Sequence, residues 1–358
     1  MRASASRWEH SCDTAGRHPA CGSGGMGVTL IKWLVRAGLL AVLGVAFSLT
    51  GMTTAAAADA PRIAAPHVMA SWPFTDPYGS FVESMALGRD GLYVSRTTWG
   101  ETSNTASVER VPLVGGGAPA PIVSGIDTGL YGLLTGLAFD QQGRLYVARA
   151  APSDTVQSAV FRVGPHGKLT SVVDLPSDSF PNGLAFYGDY LYVADSELGA
   201  IWRVRPEGRA ETQTVPWLQD PALAPVTSLG ANGITFRGNT VYVAQYDRGQ
   251  ILSATIRANG SPGPLHVWAE DPALVTADGI AFDTFGNLWV ATTGDGATSS
   301  GGLAVVTPAG HVRVLAENLP ALDYPTQPVV ALPWSILVSN GSYFNGAPSV
   351  VGWWMLPF

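Results

Sequence analysis

One unit, Phe180-Pro-Asn-Gly-Leu-Ala-Phe-Tyr-Gly-Asp-Tyr-Leu-Tyr-Val-Ala-Asp195, returns along the chain and limits what it can fold into. A polar residue, usually followed by Gly, opens an apolar run; a short turn follows and a second run comes back, which is the grammar of a β-hairpin. The residue before the Gly recurs as Glu83 (Ser84 replaces the Gly), Thr135, Asn182, Asn232, Asp278 and, more weakly, Gln327, at steps of 52, 47, 50, 46 and 49. Such a period predicts an array of four-stranded units. In the third copy the expected strands are Leu184–Phe186, Leu191–Ala194, Ile201–Val204 and Glu211–Val215.

The last copy holds three strands and then ends, whereas the first is preceded by a stray strand near residues 66–72. Each end supplies what the other lacks. The expectation is an all-β, six-bladed β-propeller over residues 61–358, with four-stranded blades and an N-terminal strand completing the last blade. Closing the ring protects the sheet edges. The 42 glycines and 26 prolines suit such a turn-rich chain. Tyr93, Tyr146, Tyr192, Tyr242 and Trp289, on the second strands, are expected to pack between blades.

Residues 1–60 read as a leader. Lys32 and Arg36 precede an apolar run from Ala37 to Met52, and small residues at 55–58 offer cleavage sites, as in a secretory signal peptide; Met26 is the expected start. Both cysteines, Cys12 and Cys21, fall in this leader. The expected protein is therefore secreted, free of the membrane once the signal is removed, and monomeric. Its formal net charge is −7, without a basic run outside the leader, which argues against nucleic acid as a partner.

In a propeller the residues that open the innermost strands face one another around the axis. Here they are Glu83, Thr135, Asn182, Asn232, Asp278 and Gln327, all oxygen-bearing. Two carboxylates and two amides converging without Cys or His describe a site for one hard divalent cation, Ca2+ first, with Mg2+, Mn2+ or Zn2+ as alternatives. Asn or Asp before Gly is also ordinary turn chemistry; the shared phase is what favours a site. The residue after each second strand returns to the same face, giving Arg96, Arg149, Asp195, Gln245, Thr292 and Asn340 as orienting candidates. Of these, Arg96, Arg149 and Asp195, with Thr135 and Gln327, are the candidate contacts to a small-molecule substrate. His166, His266 and His311 fall far from the axis, and no Gly-x-Ser-x-Gly elbow occurs.

The order Glu in the first blade, Asn in the third and fourth, and Asp in the fifth resembles the regucalcin/gluconolactonase/luciferin-regenerating family of six-bladed propellers, over about residues 80–345. The resemblance implies Glu83, Asn182, Asn232 and Asp278 as metal ligands, with Asp278 also the proposed base. Two positions depart from the family pattern. Ser84-Met85 follows Glu83 where Gly-Pro is usual, and Phe180 stands where sugar-lactone members commonly carry Arg. Losing that guanidinium removes a donor fork for substrate oxygens. The expected activity is a secreted, metal-dependent hydrolase of a lactone or simple ester, a less polar one being favoured as much as a sugar lactone. The alternatives are a non-catalytic propeller with a structural cation and a propeller lyase or synthase of the strictosidine-synthase-like kind.

Overall fold

The structure, a computed structural model, describes residues 62–73, 79–113, 118–151, 155–207, 211–212, 215–295, 301–332, 335–343 and 347–356. The expected leader, with Met26, the expected cleavage sites and both cysteines, lies outside the described residues. Six antiparallel sheets make six blades. Their innermost strands are Ser80–Leu87, Leu133–Phe139, Pro181–Tyr187, Ala231–Arg237, Ala277–Phe282 and Pro325–Leu332. Each runs into a hairpin with the second strand of its own blade. In blades three and four the turns are two residues, Gly188-Asp189 and Gly238-Asn239, with both glycines left-handed at φ 58° and 59°.

Blade six is built from Pro325–Leu332, Ser335–Asn340 and Ser349–Leu356. The N-terminal strand His67–Ser71 pairs antiparallel with the third of these, Ser71 opposite Ser349 and His67 opposite Gly352. Arg62–Ile63 adds a further short pairing, opposite Leu356 and Met355. At the seam with blade one, Trp72 donates its indole N–H to Glu109 Oε2 at 2.7 Å, and Thr326 Oγ1 donates to the Val82 carbonyl at 3.2 Å.

The core is not one mass but six apolar clusters, one at each interface between neighbouring blades. The second-strand aromatics pack there as expected. Tyr93, Tyr146, Tyr192 and Tyr242 each meet a Phe on the innermost strand of the next blade (Phe139, Phe186, Phe236 and Phe282), with ring centroids 4.9–5.2 Å apart. Trp289 is fully buried in the cluster between blades five and six. Aspartates in the hairpin turns satisfy the polar tips: Tyr93 on Asp90, Tyr146 on Asp140 and Trp289 on Asp283.

One expected strand belongs elsewhere. Glu211–Thr212 pairs in parallel with Leu169–Asp174 at the edge of blade two, and the outer strand of blade three is Leu218–Gln219. The reason is Trp217. Its ring packs edge-on against Tyr192 at 5.1 Å and its indole N–H reaches the Gly260 carbonyl at 2.8 Å. Packing that ring starts the outer strand at Leu218, seven residues beyond the expected start at Glu211, since packing outweighs intrinsic strand preference.

The glycine of the repeat has a structural cause. A Cβ on Gly233 would stand 2.3 Å from the Asp278 carbonyl oxygen and 3.0 Å from Gly279 Cα; Gly136 meets the Asn182 carbonyl and Gly183 the Asn232 carbonyl at 2.3 and 2.6 Å. The innermost strands of blades two to five thus touch the next blade's ring residue through a missing side chain. In blade one Ser84 takes the place of Gly, and its hydroxyl instead accepts from Leu137 N at 3.3 Å. Gly233→Ala is therefore expected to force backbone apart and to lower stability by about 1–3 kcal/mol in a urea melt. An unchanged midpoint would contradict the close approach.

Candidate functional site

Every innermost strand carries a register break at the ring position. Pro181 pairs with Asp195 and Leu184 with Val193, so Asn182-Gly183 face a single residue; the same break holds Asn232-Gly233, Asp278-Gly279 and Thr135-Gly136, and in blade one Glu83 is the extra residue. A β-bulge re-aims a side chain, and here it does so once per blade. In blade six the break spans Thr326-Gln327. Register therefore puts Thr326, not Gln327, in the ring position, with Gln327 in the glycine's slot. Gln327 still reaches the site's edge: its Oε1 lies 2.3 Å from where a Gly279 Cβ would stand, and its amide donates to the Pro328 carbonyl at 2.9 Å.

Glu83, Asn182, Asn232 and Asp278 are all buried, at 7, 5, 1 and 6% exposure, although three are polar turn-formers and one a glutamate. Asp278 Oδ2 accepts from Thr293 Oγ1 at 3.0 Å, and the Asn232 amide also hydrogen-bonds this carboxylate. Glu83 Oε2 accepts from the Tyr343 phenol. Asn182 donates to Ser196 Oγ at 3.2 Å, and Ser196 donates in turn to the Ala231 carbonyl at 2.7 Å, beside Asn232. Thr135, fully buried, spends its hydroxyl on the Pro181 carbonyl at 2.8 Å, a bond that locks blade two to blade three.

The electrostatics record a strained group of charges. Burial raises the Glu83 carboxyl from its ordinary 4.5 to about 7, with the Tyr343 hydrogen bond pulling the other way. Asp278 is pushed well above the carboxylate range, first by burial and then by the Glu83 charge, against the hydrogen bonds from Thr293 and Asn232. Tyr246 and Tyr343 are both raised by burial and by these two carboxylates, so both phenols stay protonated. In the metal-free fold Glu83 holds its proton more tightly than the unfolded chain does. Its contribution to stability is full below pH 4.5 and is lost as pH rises through about 7, a loss of about 3 kcal/mol, with Asp278 acting in the same sense. Chelator-treated protein should therefore melt lower at pH 8 than at pH 5, and Glu83→Gln should flatten that slope. A flat profile in the unmutated protein would contradict it.

The residues fit a cation. Asn232 Oδ1 is buried without a hydrogen-bond partner, an arrangement that costs about 1–3 kcal/mol unless something electropositive meets it. The charges of Glu83 and Asp278 act against each other, and among the described residues no Lys or Arg side chain pairs with either. Glu83, Asn182, Asn232 and Asp278 would supply an all-oxygen donor set with a charge near −2. Among the described residues no group of three or more His, Cys, Asp and Glu stands together, so the two amides are needed to complete the donor set.

The orienting candidates pair across from the residue just before each ring residue: Arg96 with Val82, Arg149 with Leu134, Asp195 with Pro181, Gln245 with Ala231, Thr292 with Ala277 and Asn340 with Pro325. Their side chains serve the frame. Arg96 donates to Ser80 Oγ and to Glu109; Arg149 donates to the Gln157 and Asp127 carbonyls and lies over the Phe161 ring. Asp195 accepts from Ser179 Oγ, Phe180 N, Glu197 N, Leu198 N and Trp202 Nε1, which fills a turn carboxylate. Because side chains alternate along a strand, the next residue faces the site instead. Of those residues, Ser196 and Thr293 hydrogen-bond Asn182 and Asp278, and Tyr246 feels the charges of Asp278 and Glu83; sequence reasoning stopped one position short of them.

No protein-family model matches the chain, and no curated protein matches it. Solved structures do. A gluconolactonase from Xanthomonas campestris is 16% identical, covering 86% of this chain and 99% of that one at a TM-score of 0.54. A calcium-binding regucalcin from Agrobacterium tumefaciens is 16% identical over 80% of this chain and 95% of its own, at 0.52. An aldose sugar dehydrogenase from Streptomyces coelicolor, solved with PQQ bound, is 14% identical over 83% and 100%, at 0.53. The chain shares their fold, and because that fold carries both lactonase and dehydrogenase proteins, the site rather than the fold has to argue the activity.

Proposed function

We propose that the chain is a secreted, metal-dependent hydrolase of a lactone or simple ester, acting as a monomer with one divalent cation, Ca2+, held by Glu83, Asn182, Asn232 and Asp278. One observation carries this reading: two buried carboxylates, both raised above their ordinary range, stand with an unpaired amide oxygen among the ring residues. Held by these four side chains, a cation would supply Lewis-acid chemistry toward the substrate carbonyl and water. Asp278 takes the proton of the attacking water and returns it to the departing alkoxide oxygen, while Thr293 and Asn232 hold its carboxylate in one orientation. Tyr343, kept protonated, donates to Glu83, and Tyr246, also kept protonated, lies within reach of both carboxylate charges. Phe180, two residues before Asn182, replaces a polar donor with an apolar ring, and this supports a substrate less polar than a sugar lactone.

The test is a calorimetric Ca2+ titration of chelator-treated protein, paired with a panel of aliphatic lactones, sugar lactones and aryl esters. Binding with turnover that needs the ion is expected, strongest on the less polar lactones or esters. Absence of binding overturns the metal site, and binding without turnover on the panel returns the non-catalytic reading. Export is checked separately, by N-terminal sequencing of protein from the culture medium, with a start near Asp59 or Pro61 expected.

A further inference from the structure

We infer that Tyr343 is the positioning residue for Glu83: by holding Oε2 from across the ring's closing seam, it fixes the first-blade carboxylate for cation binding. The inference rests on the metal-site reading above. Thr293 and Ser196 belong to the same blades as the side chains they hold, Asp278 and Asn182. Tyr343 does not. It follows the second strand of blade six and reaches back to blade one, 260 residues away in sequence.

Its placement is fixed from several sides. Ser342, immediately before it, is left-handed at φ 49°, an uncommon conformation for a residue other than Gly, Asn or Asp. That turn is tied down by Ser342 N on the Asp323 carbonyl at 3.0 Å and Gly341 N on the Tyr324 carbonyl at 2.8 Å. Gly341 is needed because a Cβ there would stand 2.8 Å from the Tyr343 ring. The ring then packs against Phe81 at 5.1 Å and Tyr324 at 5.8 Å between centroids, and Phe81 against Trp99 at 4.8 Å. Tyr324 is itself left-handed, at φ 55°. Strained backbone held by its surroundings is the kind of feature that persists at functional sites.

Blade one also has the most need of such a residue. It lacks the Gly that follows the ring residue in blades two to five, and its break in register is one residue against none rather than two against one. The outer hydrogen-bond partner of a ligand sets its orientation, and its removal typically costs about 10- to 100-fold in metal affinity. Tyr343→Phe keeps the ring contacts and removes only the donor. Gly341→Ala keeps the donor but pushes the ring away.

The experiment titrates chelator-treated, full mature protein with Ca2+ by calorimetry and with Tb3+ by luminescence, reading midpoints, and records the tyrosine ultraviolet difference spectrum on ion addition. Both variants are expected to bind about 10- to 100-fold more weakly, with Tyr343→Phe melting within a few degrees of the parent in the absence of ion. The parent is expected to show a tyrosine difference signal that Tyr343→Phe reduces, which a role in packing alone would not produce. Unchanged midpoints for Tyr343→Phe alongside a binding parent overturn the role of Tyr343 and leave the metal site standing. A parent that binds neither ion overturns both. If Gly341→Ala does not fold, Tyr343→Phe decides alone.

Discussion

Saturating Ca2+ is expected to return the ion to an Asp278→Asn variant without returning its turnover, whereas Glu83→Gln is expected to recover part of its rate. Both substitutions remove one of two negative charges from a buried donor set. At 4 Å and an effective dielectric near 20, one unit charge on another is worth about 4 kcal/mol, and the amide's own dipole gives part of that back. Affinity is therefore expected to fall about 100-fold or more in either variant. Asn182→Ala removes a dipole and not a charge, so its loss should be smaller. The two carboxylates part at the proton. Asp278 is the proposed acceptor, and removing a general base costs about 10²- to 10⁴-fold even when everything else is bound. Glu83 carries no proton in the proposed reaction. Calorimetry on each variant, paired with rates at saturating ion, decides between them. Equal recovery would make Asp278 a ligand only.

The parts of this fold that could be read from the sequence are those where a local rule and a packing rule agree. The Gly after Thr135, Asn182, Asn232 and Asp278 marks a turn-like step in the chain, and it is also the point where neighbouring blades touch backbone to backbone. The Tyr on the second strand of blades one to four has high strand propensity, and it also meets the next blade's Phe. Legibility failed where the two rules separate. Blade six has no Gly at the ring, so nothing in the sequence marks which of Thr326 and Gln327 holds the ring position; only the pairing of Pro325 with Asn340 and Pro328 with Val338 does. Asp195 looks like a rim carboxylate and serves as a turn carboxylate, since the difference lies in five donors brought from separate segments. Tyr343 was invisible for a third reason: a left-handed Ser is not a sequence signal, and the residue it delivers acts on a glutamate at the other end of the chain.

A chain beginning at residue 75 is expected to melt well below one beginning at residue 61. The missing stretch carries His67–Ser71, and without it the strand Ser349–Leu356 loses the partner opposite His67, Val68, Ala70 and Ser71. Trp72 goes with it. That side chain is 6% exposed and packs with Ala70 in the cluster shared by blades six and one, together with Val82, Val329 and Val350. Emptying a buried Trp position alone costs about 3–5 kcal/mol, and Glu109, itself buried, loses the indole donor at 2.7 Å. The exposed edge is also a template for association, so soluble yield should fall with the melting temperature. Trp72→Phe separates the two effects: it keeps most of the apolar area and removes the donor, for an expected loss of about 1–3 kcal/mol. Since Tyr343 and Glu83 face each other across this same seam, the truncated protein should lose cation affinity as well as stability. A truncated chain with the melting temperature of the longer one would show that the ring closes without its N-terminal strand.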